Sequence, residues 1–250
     1  MTPRTFLVHG LLAGLFAGIA AFLVAHALGE PPLETAISLE QEHSHESGHE
    51  HENGVTVSRE NQSTWGLATG TLAIGAALGG LVGLAAAVAL GRLGRIRATQ
   101  STALVALVGF VAVALVPFLK YPATPPAVGD PDTIGHRTAL YFSFLGLSVL
   151  AAIAAVVLAA RLLPRLGTYR TVLAAAGGYL VVMVLAAELM PTVDEVGSFP
   201  ASTLWEFRRS SITTLASLWA VLGVALVGLV GRTQEKLAVE NARRELAASL

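Results

Sequence analysis

The sequence contains no cysteine, little charge and few aromatic residues. Without cysteine there are no disulfides and no thiolate metal sites, so any metal held here must use imidazole, carboxylate, thioether or backbone oxygen. Charged residues make up only 13% of the 250 positions and aromatics 6%, whereas 54% are hydrophobic. That balance excludes an ordinary water-soluble domain of this length and points to a bilayer as the solvent. The apolar fraction is mostly Ala, Leu, Val and Gly, which suits helices packed closely in lipid rather than a core of bulky rings. No G-x-x-x-x-G-K-[ST] pattern is present, so the chain carries no sign of nucleotide hydrolysis and does not read as an enzyme. A net charge of -1 gives no reason to expect nucleic acid as a partner.

What the chain does have is long apolar runs, at residues 6–28, 65–90, 102–119, 138–160, 171–190 and 212–231. A helix needs roughly 20 apolar residues to cross a hydrocarbon core. Only helices and closed barrels satisfy their own backbone there, and the alternating segments of a barrel are absent. The expected fold is therefore an all-α integral membrane protein with about six transmembrane helices. With the N-terminus placed inside, eleven Lys and Arg fall on the inner side and five on the outer, so both termini are expected in the cytoplasm. Thirteen acidic residues fall outside and three inside, with Glu188 within the fifth span. Such an outer face concentrates cations. Arg4, the first apolar run and Ala25-His26-Ala27 also imitate a signal peptide, but the run is long for a signal core, and it carries Gly10, Gly14 and Gly18 at helical spacing. A second stripe, Gly75, Gly79 and Gly83, repeats that spacing. Both stripes suit close helix packing, within the chain or between copies in a homo-oligomer.

The membrane domain is expected to occupy residues 1–231, with an outer loop at 31–64, and the tail 232–250 to form a cytoplasmic amphipathic helix. Three outer segments carry metal-ligating side chains. The first holds His43, His45, His49 and His51 interleaved with glutamates, a tract suited to a divalent first-row ion. It formally contains the H-E-x-x-H pattern of zinc proteases, yet Gly48 and the polar surroundings favour a loop over the rigid helix which that chemistry needs. Capture of a metal fits better. The second segment, 120–137, is stiffened by four prolines and holds Asp130, Asp132 and His136, as ligands or as capping groups in a rigid connector. The third runs from Glu188 through Asp194 and Glu195 to Arg209. A carboxylate at the end of a span, such as Glu188, must pair, meet a metal or reach water, and Arg208 is its obvious partner. On the first span, His26 and Glu30 share a face if the helix persists to Glu30, which Pro31 disfavours. His26 reads equally as a ligand or as a hydrogen-bonded packing residue.

Two of these segments resemble a known family. Lys120-Tyr121-Pro122 through Thr133-Ile134-Gly135, together with Asp194-Glu195-Val196, Phe199-Pro200-Ala201 and Trp205-Glu206-Phe207-Arg208, are similar to the proposed cobalt transporter subunits of CbtA type. The resemblance implies a component of cobalt uptake in the cell membrane, working with a small single-span, His-bearing CbtB-type partner. The residues alone leave open a zinc or nickel carrier, and a membrane metal sensor or chaperone that does not transport.

Overall fold

The computed structural model of the protein describes residues 1–47, 58–94 and 96–249. Every regular element among them is helical, and five helices are long and apolar enough to cross a membrane. Thr2 starts the first by accepting a hydrogen bond from the Thr5 N–H, with Pro3 in the first turn where its missing N–H costs nothing. This helix, α1 (Pro3–Val24), does not stop before the prolines. It runs through a π-helical turn at Ala25–Gly29 into α2 (Glu30–Ser47).

The persistence of α2 corrects the expectation of a loop beginning at residue 31, and it has a physical reason. Pro31 has no N–H to donate, and its ring would crowd the carbonyl of Ala27 four residues back. A π turn opens the helix at that place, and Glu30 N–H bonds the Ala25 carbonyl five residues back. The same device precedes Pro117. There α5 (Ala98–Gly109) passes through a π turn at Phe110–Leu115 into α6 (Val116–Lys120). On the far side of the His-rich stretch, Ser58 caps α3 (Arg59–Asn61), which leads through another π turn, Gln62–Gly66, into α4 (Leu67–Ala89).

The last two helices are much longer than a bilayer is thick. α7 (Ile134–Leu189) contains two of the expected spans, and its backbone breaks at Gly167, whose φ of 72° lies in the region that favours glycine. Ser148 and Tyr179 lie on opposite sides of that break. Their hydroxyl oxygens are 2.8 Å apart, whereas a straight helix would hold these residues about 46 Å apart. α7 therefore doubles back on itself. α8 (Ala201–Ala248) joins the final span to the tail without a break, and every residue from Glu235 to Ser249 is exposed. The tail is helical as expected, but it extends the span rather than forming a separate element.

Two cores hold these helices together. α1, α4, α5 and α8 enclose Phe6, Ala13, Ala17, Val82, Trp219 and Leu222. The two limbs of α7 pack near the π turn before α6 through Ala112, Phe144, Ala152, Tyr179 and Met183. Ser148 donates to the Ala112 carbonyl at 2.7 Å, tying the limbs to that turn. Large side chains such as Phe16, Leu81 and Val224 point outward, as a lipid-facing surface requires.

The two glycine stripes meet each other. A Cβ at Gly14 would lie 2.1 Å from the Gly75 carbonyl oxygen, and one at Gly79 would lie 2.2 Å from that of Gly10. Such an approach is open only to glycine, and it presses α1 against α4 backbone to backbone. The stripes thus face each other within one chain.

Candidate functional site

The two outer segments 120–137 and 188–209, which carry half of the expected ligands, converge at one end of the bundle. Here the π turn after α1, the start of α2, the end of α6, the start of α7 and the first turns of α8 line a half-open cavity of about 1100 Å³. Glu30 and Asp194 are its acidic lining residues, while Lys120, Arg137 and Arg208 are its basic ones. Phe118, Phe142 and Leu215 supply an apolar side.

Glu30 is buried and forms an ion pair with Arg59. The contact joins the start of α2 to the start of α3. One turn back, His26 stacks on Phe22 with ring centroids 5.7 Å apart, and its Nδ1 lies 3.1 Å from the Ser63 carbonyl. A carbonyl can only accept, so Nδ1 carries the proton in this contact and the Nε2 lone pair is left free in the neutral ring. Metal-binding histidines commonly show this orientation, and so do histidines that merely pack. The two readings of His26 from sequence both remain consistent with it.

Glu195 organises the two irregular segments. One of its carboxylate oxygens accepts from the Asp130 N–H at 3.1 Å and from the Thr133 hydroxyl at 2.8 Å. The same oxygen lies 3.4 Å from Arg137 Nε. Arg137 also donates to the Asp130 carbonyl at 3.1 Å. Asp130 in turn caps the short 3-10 turn Pro131–Thr133, accepting from the Asp132 N–H at 2.9 Å. These interactions fix the loop conformation, which is the connector-and-cap role that the proline-rich segment allowed. Farther along, Lys120 Nζ donates to the Met190 carbonyl at 3.2 Å, and the Tyr121 hydroxyl donates to that of Pro191 at 2.8 Å. Burial pushes the Tyr121 phenol above its ordinary pKa, so it stays protonated as the donor this contact needs.

The expected ligands are not gathered at one point. Among the described residues, no three His, Asp or Glu side chains come close enough to share a metal ion. Asp132, His136, Glu188 and Asp194 are exposed. The backbone at His43 and His45 continues α2 as helix, while His49 and His51 lie outside the described residues. Arg208 does not neutralise Glu188 as the sequence suggested. It faces the cavity instead, and its Nε is buried with no hydrogen-bond partner among the described residues. Lys120, Arg137 and Arg208 entered the sequence reading as charges that set orientation and, for Arg208, as a partner for Glu188. Their signal was position, since all three are basic residues in the acidic segments at the ends of apolar runs.

The model of one protein family, described as "Probable cobalt transporter subunit (CbtA)", matches residues 3–231. No curated protein and no solved structure shows a significant match to the chain.

Proposed function

The chain belongs to the CbtA family of probable cobalt transporter subunits, and from that premise we propose that it is the multi-pass component of a cobalt uptake system in the cytoplasmic membrane. The observation that carries this reading is the extent of the family match, which takes in every apolar helix and both segments around the cavity. The ion is cargo rather than a resident cofactor. In this reading the outward end is the acidic one, where thirteen carboxylates raise the local concentration of divalent cations. His43, His45, His49 and His51 collect the ion, with His26, Asp130, Asp132 and His136 as further donors near the surface. Glu30, Glu188, Asp194 and Glu195 supply oxygen ligands for its onward passage. A small single-span, His-bearing subunit of CbtB type completes the transporter.

The collecting role has a distinct kinetic signature. Replacing His43, His45, His49 and His51 together by Ala is expected to weaken the apparent affinity of cobalt uptake by about tenfold, equivalent to about 1.4 kcal/mol. Uptake at saturating cobalt should stay near that of the parent. Equal loss at every concentration would contradict collection.

Six crossings and cytoplasmic termini complete the proposal. The doubling of α7 at Gly167 supports two crossings in that one element, and the basic residues Arg161, Arg165 and Arg170 beside the break support an inner position for it. Because the chain has no cysteine, single cysteines can be introduced at Gly135 and at Thr168, exposed beside the break, without background. They are expected to react with a membrane-impermeant maleimide from opposite sides of the membrane. Labelling of both from one side would show that the first limb of α7 does not cross and would sink the six-helix topology.

A further inference from the structure

We propose that the cavity at the acidic end binds an anion, a phosphate- or carboxylate-bearing molecule, with Arg208 as its charged anchor. The inference does not depend on the metal reading and concerns residues that reading leaves unused. The lining balance comes first. Three basic side chains face two acidic ones, and the acidic pair is partly spent, because Glu30 is already held by Arg59. Arg137 is likewise held by Glu195. That leaves Lys120 and Arg208 against Asp194.

Arg208 is the decisive residue. A guanidinium stays charged under all physiological conditions, and Arg208 is half-buried, so it keeps only part of its contact with water. Its Nε is shielded from solvent and unbonded, and no carboxylate among the described residues pairs with it. A bound oxyanion meets this need, since the planar fork of guanidinium donors matches carboxylate and phosphate geometry. Two further donors face the same space. Lys120 uses one of its three N–H groups on the Met190 carbonyl and keeps the others. The Tyr141 hydroxyl has no partner among the described residues. Ser211 and Thr214 donate instead into their own helix, to the carbonyls of Phe207 and Ser210, and so do not serve an anion.

The shared chemistry is an oxyanion beside an apolar wall, which a lipid headgroup and a soluble polyanion both offer. The test uses the full chain in a neutral maltoside detergent, with melting followed by tryptophan fluorescence. The probes are inorganic phosphate, citrate, dihexanoyl-phosphatidylglycerol and, as a net-neutral control, dihexanoyl-phosphatidylcholine. At least one anionic probe is expected to raise Tm saturably, and phosphatidylcholine is not. A response to phosphatidylglycerol alone identifies a lipid site, and a response to phosphate or citrate identifies a soluble ligand. Arg208→Gln should weaken the responding probe by about tenfold or more, with partial recovery in Arg208→Lys. Arg243→Gln, on the exposed tail, should bind as the parent does. If Arg208→Gln yields no folded protein, Lys120→Gln must show the same weakening. The proposal is overturned if no anionic probe shifts Tm, if phosphatidylcholine matches phosphatidylglycerol, or if the Arg208 and Lys120 variants respond as the parent does.

Discussion

Gly79→Ala is expected to lose most or all of the folded protein, although it adds one methyl group. The new Cβ would lie 2.2 Å from the Gly10 carbonyl oxygen and 2.7 Å from the Gly14 Cα, both backbone atoms of α1. Overpacking against side chains costs about 1–3 kcal/mol, because rotamers can yield. Backbone cannot turn aside, so the two helices must move apart along their whole contact, and the close approaches at Gly14 to Gly75 and at Gly18 to Thr71 open with it. A cost above that range takes a large share of the 5–15 kcal/mol that typically separates folded from unfolded protein. The matched control is Gly70→Ala on the same helix, where a Cβ would meet nothing within 4 Å. There the change should be neutral or slightly stabilising, since Ala is the better helix former. Size-exclusion profiles and thermal melts of the two variants in detergent make the comparison. A Gly79→Ala protein that melts like the parent would show that α1 and α4 do not meet through these stripes.

The consequence extends to the site. α1 runs on into α2 and its Glu30, and α4 is entered from α3 with Arg59, so the glycine contact sets the separation of the Glu30 and Arg59 ion pair. A packing motif in the middle of two helices thereby fixes the geometry at the mouth of the cavity.

How far the sequence could be read follows from which forces are local. Apolar runs mark helices in lipid without reference to anything distant, and all six expected runs lie in helical segments. The boundaries were less legible wherever a proline stood near a span. Pro31 and Pro32 suggested an end to the first helix, but a π turn placed one turn earlier lets it continue for 18 residues, and no local pattern distinguishes that outcome. The glycine stripes could be recognised as contact surfaces, yet spacing alone does not say which stripe meets which. Arg208 shows the same limit for charge. Its nearness to Glu188 in sequence suggested a pair, whereas the turn at Val196–Phe199 and the start of α8 direct it into the cavity. Glu195 could be read from sequence only as a candidate oxygen donor, because its contacts with Asp130, Thr133 and Arg137 span 58 to 65 residues of chain that no local reading connects.

Uptake of radioactive cobalt tests the central claim most directly, and the expected effect is all or none. The chain should be reconstituted in sealed vesicles with its single-span partner and oriented with the acidic end outward. A bilayer is nearly impermeable to a divalent cation, because the desolvation cost of carrying such a charge through hydrocarbon far exceeds thermal energy. Accumulation well above that of vesicles without the pair therefore requires a path through protein. The account predicts saturable accumulation that depends on both subunits and is reduced at low cobalt when the four histidines of 43–51 are replaced. Cobalt bound to the vesicle surface but never released inside, with both subunits present and folded, would contradict transport.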